Sequence, residues 1–332
     1  MHISAIILLA STLLLGACGI PAIELPSVSR HYTPIKTLCP EGTLVRPATG
    51  LSTEEMEYRA KRKRVADEAL KRWLVKTKDG FDVDRIELPT IGLTTSGGDY
   101  RSFLVGAGVI QGLDERDSNE TTSGLFQALT YQAGLSGGAW LLSSLAGNNY
   151  PTVTQLKNVL WVEGFQNGLL QPGGSDSGAY EEIALDITEK RAAGFEITLT
   201  DPYGRFLSYQ LFAGPDYGGN LTVSSITEMS SFTSHAVPYP VIVSLGVKTF
   251  SDECIPGPNG TIYEFTPFEF GSWDSDVNAF TSLKYLGTSL SNGEPLAADD
   301  CTANYDNLGY ILGTSSHVFN MVCSETIHDS IP

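Results

Sequence analysis

Ser136 lies in the run Gly-Leu-Ser-Gly-Gly of residues 134–138, which fits the Gly-x-Ser-x-Gly pattern of a nucleophile elbow. In such an elbow the serine occupies a strained turn between a strand and a helix, and the flanking glycines let neighbouring backbone approach closely. Apolar segments at 129–133 and 139–142 flank the run, as a strand and a helix require. The pattern predicts that Ser136 is the nucleophile of an acyl hydrolase. The alternative is a glycine-rich turn that only precedes a helix.

A second glycine loop, Ser-Gly-Gly-Asp-Tyr-Arg at 96–101, follows a short apolar strand at 89–95 and opens a helical pattern. Backbone N–H groups at such a helix start form a nest that suits an anion, here the oxyanion of a hydrolytic intermediate. The Arg101 guanidinium offers a fork for a phosphate group. The alternatives are a plain connector with a surface arginine and a nucleotide-phosphate loop. The latter would carry a P-loop Lys-Ser/Thr or the dinucleotide fingerprint, and this loop has neither.

A serine nucleophile also needs a general base, and none of the histidines stands in a recognisable catalytic setting. They are His2, His31, His235, His317 and His328. A triad of Ser136, an aspartate and His317 in chain order is formally allowed. A structural or surface role for His317 is the favoured interpretation.

The strand and helix patterns around both glycine loops are typical of an α/β protein with a mostly parallel central sheet. Before them, the proline-containing residues 18–50 are predicted to form an extended arm. A capping box at 52–55 opens a helix that Gly80 stops. Further along, the patterns indicate helices and loops at 150–235, a buried strand at 237–244 and a shorter one at 262–265.

The chain has 332 residues and a formal net charge of −17, which repels nucleic acid and anionic membrane surfaces. A neutral or zwitterionic substrate meets no such repulsion. One basic run stands out on the predicted first helix: Lys61, Arg62, Lys63 and Arg64. It is interpreted as a solvated helix face, and the alternative is a docking patch for phosphate head groups.

Residues 1–17 hold an apolar segment that is too short to span a membrane and ends in small residues, as in a secretory signal peptide. The alternative is a bacterial lipobox that ends in Cys18. Acceptors of the Asn-x-Ser/Thr type at Asn119, Asn220 and Asn259 favour a glycosylated eukaryotic protein. We therefore expect a secreted protein with no transmembrane helix and no C-terminal anchor signal.

Besides Cys18, the cysteines are Cys39, Cys254, Cys301 and Cys323. Their even number in an oxidising compartment predicts two disulfides, whose connectivity the sequence leaves open. No cluster of histidines, cysteines and carboxylates has metal-ligand spacing, so neither a metal nor another cofactor is expected.

The two glycine loops together resemble those of the fungal lysophospholipase (phospholipase B) family, which shares its catalytic module with cytosolic phospholipase A2 and, more remotely, patatin. Further segments that resemble this family are Cys39-Pro40, the basic helix, and residues 200–205, 263–272, 306–310 and 313–316. The resemblance covers about residues 32–320. It implies a patatin/phospholipase A2-like three-layer α/β fold with a mostly parallel central sheet, truncated at the C-terminus.

The resemblance also implies a Ser–Asp dyad, which works without a histidine. Ser136 corresponds to the nucleophile that forms an acyl-enzyme. Gly97 and Gly98 correspond to the glycines that supply oxyanion-hole amides, and Arg101 to the arginine that holds the substrate phosphate. Two features depart from the family pattern. Asp99 stands where the family usually has a third glycine, and the chain contains no Asp-Gly-Gly, the motif of the dyad aspartate.

Without a base, a serine is a weak nucleophile. The candidate substitutes for the missing aspartate are Asp274, Asp276, Asp299 and Asp300, and no setting recommends one of them. The expected function is that of a lysophospholipase that cleaves fatty acyl esters of lysophospholipids and phospholipids. One alternative is an inactive truncated homologue that serves as a secreted lipid-binding or structural glycoprotein. Another is an α/β-hydrolase lipase that uses His317.

The expected organisation follows from these assignments. It comprises a signal peptide at 1–17, the extended arm at 18–50, an incomplete catalytic domain at 51–320 and a divergent tail at 321–332. The expected partner is a lipid substrate at a micelle or membrane surface, with neither nucleic acid nor a protein partner.

Overall fold

The computed structural model describes residues 32–77, 82–83, 87–174, 178–247, 257 and 259–317. Its strands are β1 (Ile35–Thr37), β2 (Val45–Pro47), β3 (Gly92–Thr95), β4 (Tyr131–Leu135), β5 (Tyr239–Leu245), β6 (Ile262–Phe265), β7 (Glu269–Ser272), β8 (Ala279–Ser282), β9 (Leu290–Ser291), β10 (Glu294–Pro295) and β11 (Cys301–Ala303). Its α-helices are α1 (Thr53–Thr77), α2 (Asp99–Leu113), α3 (Gly137–Gly147), α4 (Val153–Leu156), α5 (Val162–Gly164), α6 (Ala179–Ala192), α7 (Thr200–Leu211), α8 (Ser230–Thr233) and α9 (Leu308–Ser315).

The central sheet has seven strands in the order β2-β8-β7-β6-β5-β4-β3. The strands β3 and β4, which lead into the two glycine loops, and their neighbour β5 are parallel to one another. The remaining neighbours pair antiparallel, so the expectation of a mostly parallel sheet holds only for this part of it. For β6, β7 and β8 the reason is connectivity, because these strands follow one another through short loops, and short loops join antiparallel neighbours.

Helices cover both faces of this sheet. On one face α1 packs against β4, where the Tyr131 hydroxyl donates to the Glu55 carboxylate at 2.9 Å. On the other face α3 lies so close that a Cβ on Gly134 would sit 2.5 Å from the Gly138 carbonyl oxygen. Tyr131 and Gly134 are three residues apart on β4 and therefore point to opposite faces of the sheet. Helix α1, the sheet and helix α3 thus form three layers. The predicted three-layer α/β fold is confirmed.

The main hydrophobic core lies between the sheet and the helices on the α3 side. One fully buried residue from each of four helices marks it: Phe103 on α2, Leu141 on α3, Leu207 on α7 and Ile311 on α9. Because these helices share one core, the loops at their ends are held in fixed relative positions.

The predicted first helix is confirmed, with its start capped as expected. The Glu55 N–H donates to Ser52 Oγ at 3.1 Å, although the Glu55 carboxylate bonds Tyr131 and does not complete the capping box. The helix ends at Thr77, and Gly80 lies outside the described residues. The extended arm contributes to the sheet, since its β2 pairs with β8.

The interpretation of the basic run as a solvated face is wrong for Arg62, whose side chain is fully buried. Its guanidinium donates to four backbone carbonyls, those of Gln127, Leu129, His235 and Ala236. These carbonyls belong to the segments that lead into β4 and β5, so Arg62 ties α1 to the N-terminal ends of both strands. Burial lowers the pKa of Arg62 to about 10.

Replacing Arg62 by methionine is expected to lower the free energy of unfolding by about 3 kcal/mol, because charge-assisted hydrogen bonds are lost in a buried place. Urea denaturation followed by circular dichroism measures this. The matched control is Arg64→Met on the exposed side of the same helix, with an expected change within about 0.5 kcal/mol. Equal losses in both variants would contradict the structural role given to Arg62.

One disulfide is present in the described part of the chain. It joins Cys39 to Cys301, with a Cα–Cα distance of 5.1 Å, beside the pairing of β1 with β11. The other cysteines, Cys18, Cys254 and Cys323, lie outside the described residues, so the second predicted disulfide stays a prediction.

Two further findings apply to the described residues only. None of their helices is long and apolar enough to cross a membrane. No group of three or more histidine, cysteine, aspartate or glutamate side chains among them is placed to hold a metal ion.

Candidate active site

Ser136 occupies the turn between β4 and α3, as the nucleophile-elbow pattern predicts. Its backbone has φ 53° and ψ −124°, a left-handed conformation that is uncommon for serine. The residue is half-buried and caps the N-terminus of α3, whose dipole places positive potential beside the side chain. The surroundings therefore hold Ser136 in a strained geometry typical of an elbow.

The glycines around Ser136 are required by close backbone contacts. A Cβ on Gly138 would lie 2.1 Å from the Thr95 carbonyl oxygen, and one on Gly137 would lie 2.2 Å from the Asp99 carbonyl oxygen. No side chain fits at such distances. The elbow is thus packed directly against the end of β3 and the loop that follows it.

The second glycine loop lies beside the nucleophile. A Cβ on Gly97 would be 3.1 Å from Ser136 Cβ and 3.6 Å from Ser136 Oγ. The reason is topological: β3 and β4 are parallel neighbours with Thr95 opposite Gly134, so both loops leave the same edge of the sheet. The structure therefore brings together the predicted nucleophile and the predicted oxyanion loop.

The backbone conformation of the same loop explains why an aspartate is tolerated at position 99. Gly98 has φ 137° and Asp99 has φ 49°, both in the region that favours glycine, which accounts for the run of glycines in the family pattern. Aspartate is among the residues that tolerate such a conformation. The residue is exposed, and its backbone rather than its carboxylate contacts Gly137. An exposed carboxylate is screened by water and opposes a developing oxyanion only weakly.

Tyr100 anchors the start of α2. Its ring lies 5.4 Å from the ring of Trp140 and 5.3 Å from that of Phe165, and its hydroxyl donates to Gln210 Oε1. Burial raises the pKa of Tyr100, so the hydroxyl remains a donor. The glycine loop is thereby fixed from its α2 side.

Arg101 follows on the exposed side of the same helix turn. It lines a cleft of about 390 Å³ together with Gly97, Gly98, Val105 and Val109. This cleft places a guanidinium, two loop glycines and aliphatic side chains around one space. Such a combination suits a molecule with an anionic group and an apolar chain, and Ser136 lies next to Gly97 but does not itself line the cleft.

Sequence reasoning assigned no role to Ser315, although the structure places it at the elbow. The Ser136 N–H donates to Ser315 Oγ at 2.9 Å. The segment 313–316 resembles the corresponding segment of the family, but its sequence does not reveal the contact. The two residues are 179 apart in the chain, and such a contact leaves no local signal.

The candidate bases are placed as follows. His235 precedes β5 at its N-terminal end, whereas Ser136 follows the C-terminal end of the parallel β4, roughly 20 Å away at the usual rise per strand residue. His317 is two residues beyond Ser315 and half-buried. His2, His31 and His328 lie outside the described residues.

Two of the candidate aspartates are engaged elsewhere. Asp274 accepts from the Ile262 N–H at 2.7 Å, and Asp300 forms an ion pair with Lys36 at 2.7 Å. Among the residues that the structure describes, the Ser136 hydroxyl has no hydrogen-bond partner. The predicted nucleophile and the predicted oxyanion loop therefore lie side by side, and the described residues place no candidate base at the Ser136 hydroxyl.

Comparison with known proteins identifies the family of the chain. The sequence model of the lysophospholipase catalytic domain matches residues 91–331. Lysophospholipase 3 of Candida albicans is 39% identical over 323 residues, which cover 90% of this chain and 42% of that protein. Lysophospholipase 2 of Saccharomyces cerevisiae is 36% identical over 340 residues, with 95% and 48% covered. The chain thus spans about half the length of the curated relatives it matches.

Among solved structures, human GIVD cytosolic phospholipase A2 is similar with a TM-score of 0.66 and 21% sequence identity. The match covers 88% of this chain and 36% of the human chain. At this identity the likeness supports the fold alone. The family match spans both glycine loops and most of the described sheet, and the chain therefore belongs to the lysophospholipase catalytic domain family.

Proposed function

We propose that the chain is the part of a lysophospholipase that carries the nucleophile and the oxyanion loop. It would release fatty acids from lysophospholipids and phospholipids. The observation that carries the proposal is the packing of Gly97 against Ser136, with 3.6 Å between the Gly97 Cβ position and Ser136 Oγ. A strained serine beside a glycine-rich anion nest is the arrangement that acyl transfer requires.

The reaction would proceed in two steps. Ser136 Oγ attacks the ester carbonyl carbon, its proton passes to the base, and the oxyanion that forms accepts hydrogen bonds from N–H groups of the loop at Gly97 and Gly98. The glycerol oxygen then leaves with a proton, and the acyl group stays on Ser136. Water hydrolyses this acyl-enzyme and returns the serine. No cofactor takes part in either step.

The proposed activity depends on which group acts as the base for Ser136. The family resemblance implies an aspartate in an Asp-Gly-Gly motif, which none of the 332 residues form. The second candidate function is that of an inactive homologue, in which no group deprotonates Ser136 and which binds lipid without cleaving it or plays a structural part. Both candidates share the fold and the bound lipid, and they differ in whether Ser136 can be deprotonated.

The test of the proposal is fatty-acid release from lysophosphatidylcholine micelles by the purified chain. We expect release that grows linearly with the concentration of the chain and exceeds the rate with heat-denatured chain. A rate equal to that of the denatured chain, combined with sedimentation of the chain with micelles, would support the lipid-binding alternative.

For Arg101 we propose the role of phosphate ligand. Replacement by glutamine is expected to lower kcat/KM for lysophosphatidylcholine about tenfold or more, since a hydrogen bond to a charged group is lost. The rate with a monoacylglycerol, which has no phosphate, should change little. Arg64→Gln, an exposed arginine on α1, serves as the control. Equal losses with both substrates would show that Arg101 does not contact the phosphate.

We further propose that residues 1–17 are a signal peptide, that 18–50 are an arm, and that the catalytic part begins at about residue 51; the family match continues through residue 331 and so includes most of the segment 321–332. The substrate would be met outside the cell, at a micelle or a membrane that is not strongly anionic, because the net charge is −17. No protein or nucleic-acid partner is required.

We also propose that Asn119, Asn220 and Asn259 are glycosylated. Asn119 and Asn259 are exposed, whereas Asn220 is half-buried. We expect fuller occupancy at the two exposed acceptors, since an attached glycan needs room. Mass spectrometry of the chain secreted from a eukaryotic host, before and after treatment with an N-glycosidase, measures this. Secretion with no change in mass would contradict it.

A further inference from the structure

Three consecutive hydroxyl side chains at the C-terminal end of α9 each contact a different element. Thr314 Oγ1 lies 3.1 Å from Ser244 Oγ on β5. Ser316 Oγ accepts a hydrogen bond from Trp140 Nε1 on α3 at 2.9 Å. Ser315, between them, contacts the nucleophile elbow. The end of α9 therefore links β5, the neighbour of β4 in the sheet, with the elbow and with α3.

The Ser315 hydroxyl bridges two backbone groups. It accepts from the Ser136 N–H at 2.9 Å and donates to the Val243 carbonyl oxygen at 2.6 Å. Leu135 and Val243 are the last paired residues of β4 and β5, so Ser136 is the first residue to leave the ladder. One hydroxyl can donate and accept at once, and it thereby satisfies a donor and an acceptor at the point where regular pairing ends.

The helix that carries Ser315 is itself held firmly. A Cβ on Gly204 of α7 would lie 2.4 Å from the Gly309 carbonyl oxygen of α9, so the two helices pack backbone against backbone. The Tyr203 hydroxyl donates to the Ser316 carbonyl at 3.1 Å, and burial raises the pKa of Tyr203 to about 12. Ser315 is 7% exposed. Its hydroxyl is thus presented from a rigid support.

We propose that Ser315 is a positioning residue for Ser136. Its hydroxyl fixes the elbow backbone in the left-handed conformation, so that Ser136 Oγ stays beside Gly97. A positive φ is unfavourable for serine and persists only where the surroundings enforce it. The inference rests on the proposed function of Ser136 as nucleophile, because a misplaced nucleophile affects turnover rather than substrate binding.

The kinetic test compares Ser315→Ala with Ser315→Thr, which keeps the hydroxyl. For Ser315→Ala we expect kcat to fall about ten- to a hundredfold while KM stays within about twofold. Ser315→Thr should recover most of the lost kcat. The matched control is Thr314→Val, which removes the neighbouring hydroxyl but leaves the contact with the elbow intact. An unchanged kcat in Ser315→Ala, or an equal loss in Thr314→Val, would overturn the inference.

Hydrogen exchange of the Ser136 amide tests the contact independently of turnover. In Ser315→Ala we expect this exchange to accelerate about tenfold or more, with no acceleration in Thr314→Val. A wild-type chain that hydrolyses no ester would refute the proposed function and leave this measurement valid. Unchanged exchange in Ser315→Ala would overturn the inference itself. Should Ser315→Ala fail to fold, Ser315→Cys keeps the volume, weakens the hydrogen bonds and carries both measurements.

Discussion

Replacing Ser136 by alanine is expected to reduce fatty-acid release to the rate measured with heat-denatured chain. The reason is that in the proposed reaction Ser136 Oγ accepts the acyl group, and this oxygen lies next to the Gly97 Cβ position of the glycine loop. A colorimetric fatty-acid assay with lysophosphatidylcholine measures the change.

The control for this variant is Ser143→Ala, on the same helix. Ser143 is buried and its hydroxyl has no hydrogen-bond partner among the described residues, so its removal should leave both activity and folding intact. Release by Ser136→Ala at the wild-type rate would show that another residue carries out the reaction. Equal losses in both variants would point to damage of α3 rather than to loss of the nucleophile.

Replacing Gly137 by alanine is expected to lower kcat about a hundred- to a thousandfold, the usual effect of losing an oxyanion-hole donor. The new Cβ would lie 2.2 Å from the Asp99 carbonyl oxygen and 2.9 Å from its nitrogen. Both are backbone atoms and cannot rotate away. The loop that holds Gly97 and Gly98 must therefore move off the nucleophile. Steady-state kinetics with lysophosphatidylcholine measures the loss.

A matched glycine with free space around it is Gly108 in α2, where no atom outside the adjoining helix backbone lies within 4 Å of the Cβ position. Gly108→Ala should keep full activity and raise the free energy of unfolding by roughly 0.5–1 kcal/mol, because alanine is the better helix former. A Gly137→Ala variant as active as Gly108→Ala would contradict the tight packing of the two loops.

The sequence predicts those parts of the site in which a local residue pattern is required by close packing. Glycines at 134, 137 and 138 are demanded by backbone contacts near 2 Å, and strand-to-helix junctions position both loops. The sequence also predicts these segments as strands of a mostly parallel sheet, whereas the order of β3, β4 and β5 comes from the structure. The antiparallel half of the sheet was only partly predicted, because strands of two to four residues leave little periodic signal.

The features that sequence reasoning missed depend on contacts between distant segments. Arg62 sits in a run of four basic residues that looks solvent-exposed, and its burial depends on carbonyls up to 174 residues away. Ser315 is one serine in a hydroxyl-rich segment, and its contact with Ser136 exists only once α9 is packed on α7 and α3. Such convergence is a property of the packed core and not of any local pattern.

The most direct test of Ser136 as the nucleophile uses a long-chain alkyl fluorophosphonate, which transfers a phosphonyl group to an activated serine. Intact mass and peptide mapping then locate the adduct. We predict one phosphonyl group per chain, on the peptide that contains Ser136, and none on the Ser136→Ala variant. An adduct on another residue, or labelling of Ser136→Ala equal to that of the wild type, would contradict the assignment of Ser136.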